Sequence, residues 1–495
     1  MNNEKQGNTK ILAELALNTK TEDISEKAYI AAKKMIIDTI GCQIAGYKAE
    51  GIPEVLEQLF DWGGKEEATV LMYGKKLPAP LAAYANSAMM HAFDFDHSHQ
   101  PSGLGHILPS VLPVSLAAAE MTGCSGKDFL AAVILGFEVT ARLGLAFKNA
   151  KAKGGYFSMG FLPAGTVGGF GATASACRIF GMDISQTVHA LGINYAQAAG
   201  NRQALFDKTL TKRLQPAFTS RSALWAAMLA KRGITGPIHA LEGSAGLFSI
   251  YKNAEPCLAE ELTEKRTFYE IERDLVKPHP CCCTHHANVA CELGKKHQFK
   301  SEDIDLIQVH MEEGPSLTGG KFFIGENPQA NAQFSSAYVT ALGVLRGRMG
   351  LKEIDSAQVL ADTEVAELAG RVVMAPINEL PKPAVVSDEN LIPWGGGDAN
   401  KYIGVKVKTK DGKVYTCFKT YRETLGPEVT MAMDNIQNKF HENVEFSGLY
   451  SAKKSDEIIR SIMDLDKNSN INPLIEILSP INIKLLSKNL HGNQP

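Results

Sequence analysis

YIGVKVKTKDGKVYTCF, residues 402–418, is the stretch whose reading decides the fold class. Two runs alternate apolar and polar side chains with a period of two, and Asp411-Gly412 between them tolerates the positive φ of a tight hairpin turn. Such a hairpin is foreign to the chain that precedes it. From about residue 8 to 266, runs such as ISEKAYIAAKKMIIDTIGCQIAG and SALWAAMLAKRG carry apolar side chains at helical spacing. PLAAYANSAMM and GTVGGFGATASACRIFG are rich in Ala and Gly, which let helix axes approach closely in a bundle. IDLIQVHM alternates like a strand, so residues 267–423 read as a smaller α+β unit. PEVTMAMDNIQNKF and SDEIIRSIMDL, within 424–487, return to helical periodicity and rejoin the bundle, and 488–495 is a polar tail. The pattern predicts a mainly α protein, a large all-helical domain carrying a smaller α+β lid.

Composition narrows the function classes. Lys+Arg 51 against Asp+Glu 54 gives a formal charge of -3, and no basic run is interleaved with aromatics, which excludes an ordinary nucleic-acid surface. The longest apolar stretch, DFLAAVILGFEVTARLGLAF, is interrupted by Glu138 and Arg142, as a buried helix is and a membrane span rarely is. MNNEKQGNTK lacks the apolar segment of a secretory signal, so a cytoplasmic protein is expected. Nine cysteines, an odd number, fit reduced thiols better than a disulfide framework. GGFGATA (168–174) has no preceding strand and no Walker lysine, and reads as small-residue helix packing rather than a phosphate loop. The adjacent triplet Cys281-Cys282-Cys283 lacks metal-ligand spacing.

The chemistry concentrates in HAFDFDHSHQPSGLGH, residues 91–106, which holds four of the 13 histidines and two aspartates. Metal sites and proton-transfer sites draw on the same side chains. PLAAYANSAMMHAFDFD is expected to be a helix ending in the Pro- and Gly-bearing loop, which puts His91 and Asp94 on one helical face. His91 reads as a core histidine satisfied by a neighbour. His97 and His99 read either as solvent-exposed loop residues or as site residues.

Six segments then resemble the successive signature blocks of the MmgE/PrpD family. They are HAFDFDHSH with GHILPSVLPVSLAAAE, MGFLPAGTVGGFGATASACRIFGM, TKRLQPAFTSRSALWAAMLAKRGITGPIHALEG, VKPHPCCCTHHANVA and AQFSSAYVTALGVLRG, in order over about residues 70–475. That family contains 2-methylcitrate dehydratase, cis-aconitate decarboxylase and iminodisuccinate epimerase. The resemblance implies a helical domain with an α+β lid, a homodimer, no metal or organic cofactor, and a polycarboxylate substrate. It also implies roles. Asp94, Ser98 and His106 fall on the family's catalytic aspartate, neighbouring hydroxyl residue and catalytic histidine, Lys212 and Lys277 on its substrate-side lysines, and Tyr338 on its active-site tyrosine. A histidine suits the proton transfer because its ordinary pKa of about 6.5 lies near neutrality.

The departures carry as much. Family dehydratases and decarboxylases read G-F-H-P where this chain reads Gly160-Phe161-Leu162-Pro163, and leucine can neither give nor take a proton. Cys282 stands where the decarboxylase has a second-domain histidine. An expected Asp pair is Asp96-His97, and two residues are inserted before His106. His97 or His99 is therefore expected to replace the imidazole missing at Leu162. Three functions follow: a dehydratase-like lyase on a small di- or tricarboxylate, an isomerase or epimerase of an amino- or imino-dicarboxylate, and a metal-dependent protein using Asp94, Asp96, His97 and His99.

Overall fold

The computed structural model describes residues 7–150, 160–254, 262–311, 322–381 and 401–479; the polar tail from 488 lies outside them. Nine helices position the site. They are α1 (Glu26–Gly46), α2 (Ala79–Met90), α3 (Leu108–Thr122), α4 (Gly126–Asn149), α5 (Gly168–Ile179), α6 (Thr211–Lys231), α7 (Thr284–His297), α8 (Ser336–Arg346) and α9 (Met433–Ser447). Serine hydroxyls start two of the longest. Ser25 accepts from the Ala28 amide ahead of α1, and Ser125 from the Asp128 amide ahead of α4, each satisfying an amide the helix leaves unpaired.

The small residues do what their composition suggested. A Cβ on Gly171 of α5 would lie 1.9 Å from the carbonyl oxygen of Gly136 in α4, so only glycine permits this approach of the two helices. Helix α4 is the one described helix long and apolar enough to cross a membrane, and its apolar window is wholly buried inside the protein. Its two charges answer each other, with Arg142 Nε 2.6 Å from Glu138 Oε1. Helices α2 and α6 pack together, and α3 lies against α2, α5 and α6.

Strands β1 (Ala68–Val70) and β2 (Lys75–Leu77) form a small hairpin in the helical body. The main sheet has four strands, β3 (Ile304–Met311), β4 (Val372–Pro376), β5 (Tyr402–Thr409) and β6 (Val414–Thr420), in spatial order β4-β3-β5-β6. β3 and β4 run parallel, the other pairs antiparallel. The Lys410–Lys413 turn closes the β5–β6 hairpin with Gly412 at φ 85°. Helix α7 packs on β5, β6 and α8. After the sheet, α9 returns to lie along α1, and Lys439 reaches Asp38 Oδ1 at 2.6 Å.

The helical body keeps hold of the chain past residue 267. Glu270 is buried, its amide donates to Glu138 Oε2 at 2.6 Å, and its carboxylate pairs with Arg266 and Arg273. This ion network ties residues 270–273 to α4. The eight described cysteines are free thiols.

Candidate active site

Helix α2 ends at Met90, six residues before the expected end at Asp96, and His91 caps it. Beyond the cap, Asp94 is a non-glycine residue in the left-handed region at φ 50°. That conformation turns both its carbonyl and its carboxylate toward Lys277, and such a geometry persists where surrounding contacts hold it.

Asp94 is buried between two lysines. Lys212, near the start of α6, donates to Oδ1, while Lys277 Nζ donates to Oδ2 at 2.7 Å and to the Asp94 carbonyl. Beside it, Asp96 bridges two imidazoles, with His91 Nδ1 2.8 Å from Oδ1 and His106 Nδ1 2.7 Å from Oδ2. Lys212 Nζ also lies 2.9 Å from His91 Nε2, and His106 Nε2 is 3.4 Å from Asp94 Oδ1. His91 thus does satisfy a neighbour, but the neighbours are the site's own groups. An ammonium can only donate, so His91 must accept at Nε2 and carry its proton on Nδ1.

The charges follow from these contacts. Burial and the adjacent Lys212 push the His91 imidazole down to about 4, leaving it neutral. Burial would also push His106 down, but the Asp96 and Asp94 carboxylates outweigh it and hold that imidazole above its ordinary value. Burial opposes ionisation of both aspartates. Lys212 and Lys277 nevertheless hold Asp94 well below the usual carboxylate range, and His106 and His91 do the same for Asp96. The cluster therefore favours the charged form of His106, beside carboxylates that are themselves compensated.

The other two histidines serve the fold. His97 is fully buried; its Nε2 accepts from the amides of Ile107 at 3.0 Å and Leu108 at 2.7 Å, and its Nδ1 meets Asp274 Oδ2 at 2.6 Å. It caps α3 as a side-chain oxygen caps most helices. His99 is also fully buried, with Nδ1 2.8 Å from Ser102 Oγ and Nε2 3.0 Å from Glu270 Oε2. Neither is exposed, and neither has a nitrogen left to replace the imidazole absent at Leu162. That expectation is corrected here.

A cavity of about 530 Å³ opens over His106 between the helical body and the α+β unit. Asp94, Ser98, His106, Lys212, Lys277 and Cys282 all line it, as does Leu162. Among the described residues that line it, six carry cationic side chains (Lys148, Arg202, Lys212, Lys252, Lys277 and Lys401) and one a carboxylate, Asp94. Ser98 Oγ accepts from Gln100 at 2.9 Å, and Cys282 is exposed at the cavity wall. Tyr338 is elsewhere. Its hydroxyl is buried without a hydrogen-bond partner among the described residues, its ring packs 4.5 Å from Phe322, and it does not line this cavity, so the active-site position expected for it is corrected.

Arg202, Lys252, Lys401 and His285 were not singled out from sequence; they come from distant segments and carry no local motif. Asp96 had a local signal, the Asp pair it half completes. Among the described residues, His91, Asp96 and His106 are the one group whose donor atoms approach metal-binding spacing, within 4.8 Å of one another. The neighbouring ammonium of Lys212 on His91 Nε2 opposes a cation there. His97 and His99, engaged as above, do not converge with Asp94 and Asp96 into a ligand set.

A cation-lined cleft between a helical body and an α+β unit, floored by an aspartate between two lysines with a histidine beside it, is the setting of an enzyme's site. Residues 10–257 match the MmgE/PrpD N-terminal domain and residues 279–466 the MmgE/PrpD C-terminal domain, and the chain belongs to the MmgE/PrpD family. It is 25% identical over 500 residues to a cis-aconitate decarboxylase of Aspergillus terreus, covering 96% of this chain and 97% of that one. Cis-aconitate decarboxylases of Mus musculus (24% over 449 residues, 88% and 86% covered) and Homo sapiens (24% over 481, 93% and 93%) are also similar. These relatives are lyases.

Proposed function

We propose that the protein is a lyase for a small di- or tricarboxylate that eliminates water across a carbon–carbon bond next to a carboxylate. The cavity's lining carries this reading: among the described residues it holds more cationic side chains, Lys212, Lys252 and Lys277 among them, than carboxylates, which suits a substrate with two or three carboxylates. Lys212 and Lys277, which line the cavity beside Asp94, are the groups to meet one substrate carboxylate, and Lys252 lines the same cavity. Such contacts orient the substrate and stabilise the enediolate charge that develops when the neighbouring C–H bond breaks. His106, already protonated, delivers its Nε2 proton to the departing hydroxyl, which leaves as water. Asp96 keeps the ring charged and oriented.

The relatives favour a second reading, loss of CO2. There the C–CO2 bond breaks, its electron pair stays on carbon, and His106 protonates that carbon. Incubating the purified protein with 2-methylcitrate, citrate, cis-aconitate and iminodisuccinate under mass detection separates the two. Loss of water from a hydroxy acid supports the first, and loss of CO2 from cis-aconitate the second. Exchange of the substrate α-hydrogen with solvent, without either loss, supports an epimerase. No change in any of the four overturns the proposal.

A further inference from the structure

We propose that Lys252 binds a second substrate carboxylate, the one that Lys212 and Lys277 leave over, and so makes the enzyme select acids that carry more than one. The inference rests on the polycarboxylate reading above and names the residue that enforces it. Of the cations lining the cavity, Lys212 and Lys277 hold Asp94, and Lys148 donates to the Pro101 carbonyl at 3.1 Å. Lys252 lines the same cavity, and among the described residues its ammonium meets no carboxylate, carbonyl or hydroxyl.

That is an unusual state for a lysine in this position. Lys252 ends a six-residue helix, Leu247–Lys252, and Asn253 follows it in the left-handed conformation at φ 50°. A lysine in a last turn ordinarily reaches into water or back to the last carbonyls of its own helix. This one is 3% exposed, and what it faces is the cavity. Taking an ammonium out of water without a counterion is costly, and burial holds its pKa below the ordinary lysine value. A carboxylate brought by a ligand supplies the missing partner, in a place where water is largely excluded and a charged hydrogen bond is strong.

The short helix is held against the stretch that carries Leu162. The Tyr251 hydroxyl donates to the Ala198 carbonyl at 2.7 Å, and the Tyr251 ring meets Phe161 edge-on with centroids 4.7 Å apart. The Leu162 amide donates to the Gly200 carbonyl at 3.3 Å, so residues 161–162 and 251–252 are fixed on the same 198–200 segment. One turn earlier, Phe248 packs 4.5 Å from Phe147, which lines the cavity with Leu162. This wall therefore offers an ammonium among leucine and phenylalanine side chains, a setting that binds a carboxylate by charge and gives or takes no proton. An acid seated over His106, with one carboxylate at Lys212 and Lys277, places another here.

The test is Lys252→Met, which keeps the length of the side chain and removes its charge, with Lys252→Arg as the variant that keeps the charge. Two unreactive acids are titrated into each protein: propane-1,2,3-tricarboxylate, and butyrate, the same carbon chain with one carboxylate. Wild type is expected to bind the tricarboxylate at least about tenfold more tightly than butyrate. In Lys252→Met the tricarboxylate is expected to lose about 10- to 100-fold in affinity while butyrate stays within about threefold, and Lys252→Arg is expected to keep most of the tricarboxylate affinity. With the acid that the wild type turns over, KM should rise in Lys252→Met by a similar factor and kcat stay within about threefold. Its melting temperature without ligand should equal or exceed that of wild type, because a buried unpaired charge is gone. Tricarboxylate affinity within threefold of wild type in Lys252→Met, or an equal loss for both acids, overturns the role of Lys252 and leaves the polycarboxylate reading standing. Wild-type protein that binds the tricarboxylate no better than butyrate removes that reading itself.

Discussion

His97 and His106 each point Nδ1 at an aspartate, 2.6 Å from Asp274 and 2.7 Å from Asp96, and they differ in what meets Nε2. Two backbone amides at the start of α3 donate to Nε2 of His97, so that nitrogen is an acceptor and the ring holds the helix in place. Nε2 of His106 faces the Asp94 carboxylate at 3.4 Å and the open cavity, so it carries a proton and can give it away. Nine positions apart, the same side chain paired with an aspartate is a cap in one case and, in the proposed function, an acid in the other. The second nitrogen's surroundings decide the role.

The sharpest way to break this contrast is His97→Ala. It strips two helix-start amides of their acceptor and leaves Asp274 buried without its imidazole, so stability is expected to fall by about 3–5 kcal/mol. Turnover per folded molecule at low temperature should stay within a few-fold of wild type, read from chemical denaturation beside activity. A silent melting curve with lost turnover would reverse the assignment.

Next come the lysines. Lys212→Ala or Lys277→Ala is expected to lower kcat/KM by one to two orders of magnitude, about 1.5–3 kcal/mol of lost substrate binding. Each also leaves the buried Asp94 with one ammonium instead of two, so denaturation should show a loss of about 1–3 kcal/mol besides. Unchanged kcat/KM in both variants would remove the anion-binding role.

A smaller effect separates the two aspartate partners by pH. His106 has its pKa raised, so its contribution to stability is fully present below the unfolded value of about 6.5 and is lost as pH rises through the folded value. Turnover that needs the imidazolium falls in the same direction. Asp96→Asn removes the largest group raising that pKa, so the alkaline limb of the pH–rate profile should move to lower pH. A limb that stays in place would show that another group titrates there.

The smallest change is expected from Tyr338→Phe. Its hydroxyl is buried without a partner and away from the cavity, so removing it should leave kcat within about threefold and stability equal or slightly higher. A hundredfold loss would return the tyrosine to the site.

These contrasts also mark what could be read from sequence. The β5–β6 hairpin, the strand at Ile304–Met311 and the small-residue packing of Gly136 on Gly171 are local patterns, and periodicity and turn chemistry specify them. Lys212 and Lys277 reach Asp94 from 118 and 183 positions away, and only the family resemblance singled them out. The early end of α2 was hidden because nothing in HAFDFD breaks a helix by propensity, and the lysine that meets the left-handed turn at Asp94 comes from far along the chain. Likewise, the division of four histidines into two pairs depends on Asp274 and Glu270, which arrive from beyond residue 266. His285 stood inside VKPHPCCCTHHANVA without a spacing rule to distinguish it from His286, and only its place in the cavity wall does so.

The central claim is that His106 is the acid of a polycarboxylate lyase. Turnover of the four-acid panel by wild type and His106→Gln, side by side with mass detection, tests it most directly. The expected result is loss of water from a hydroxy acid, or of CO2 from cis-aconitate, by the wild type, and a rate at least about 100-fold lower in the variant with substrate still bound. Equal rates in the two proteins, or no reaction and no binding by the wild type, would contradict it.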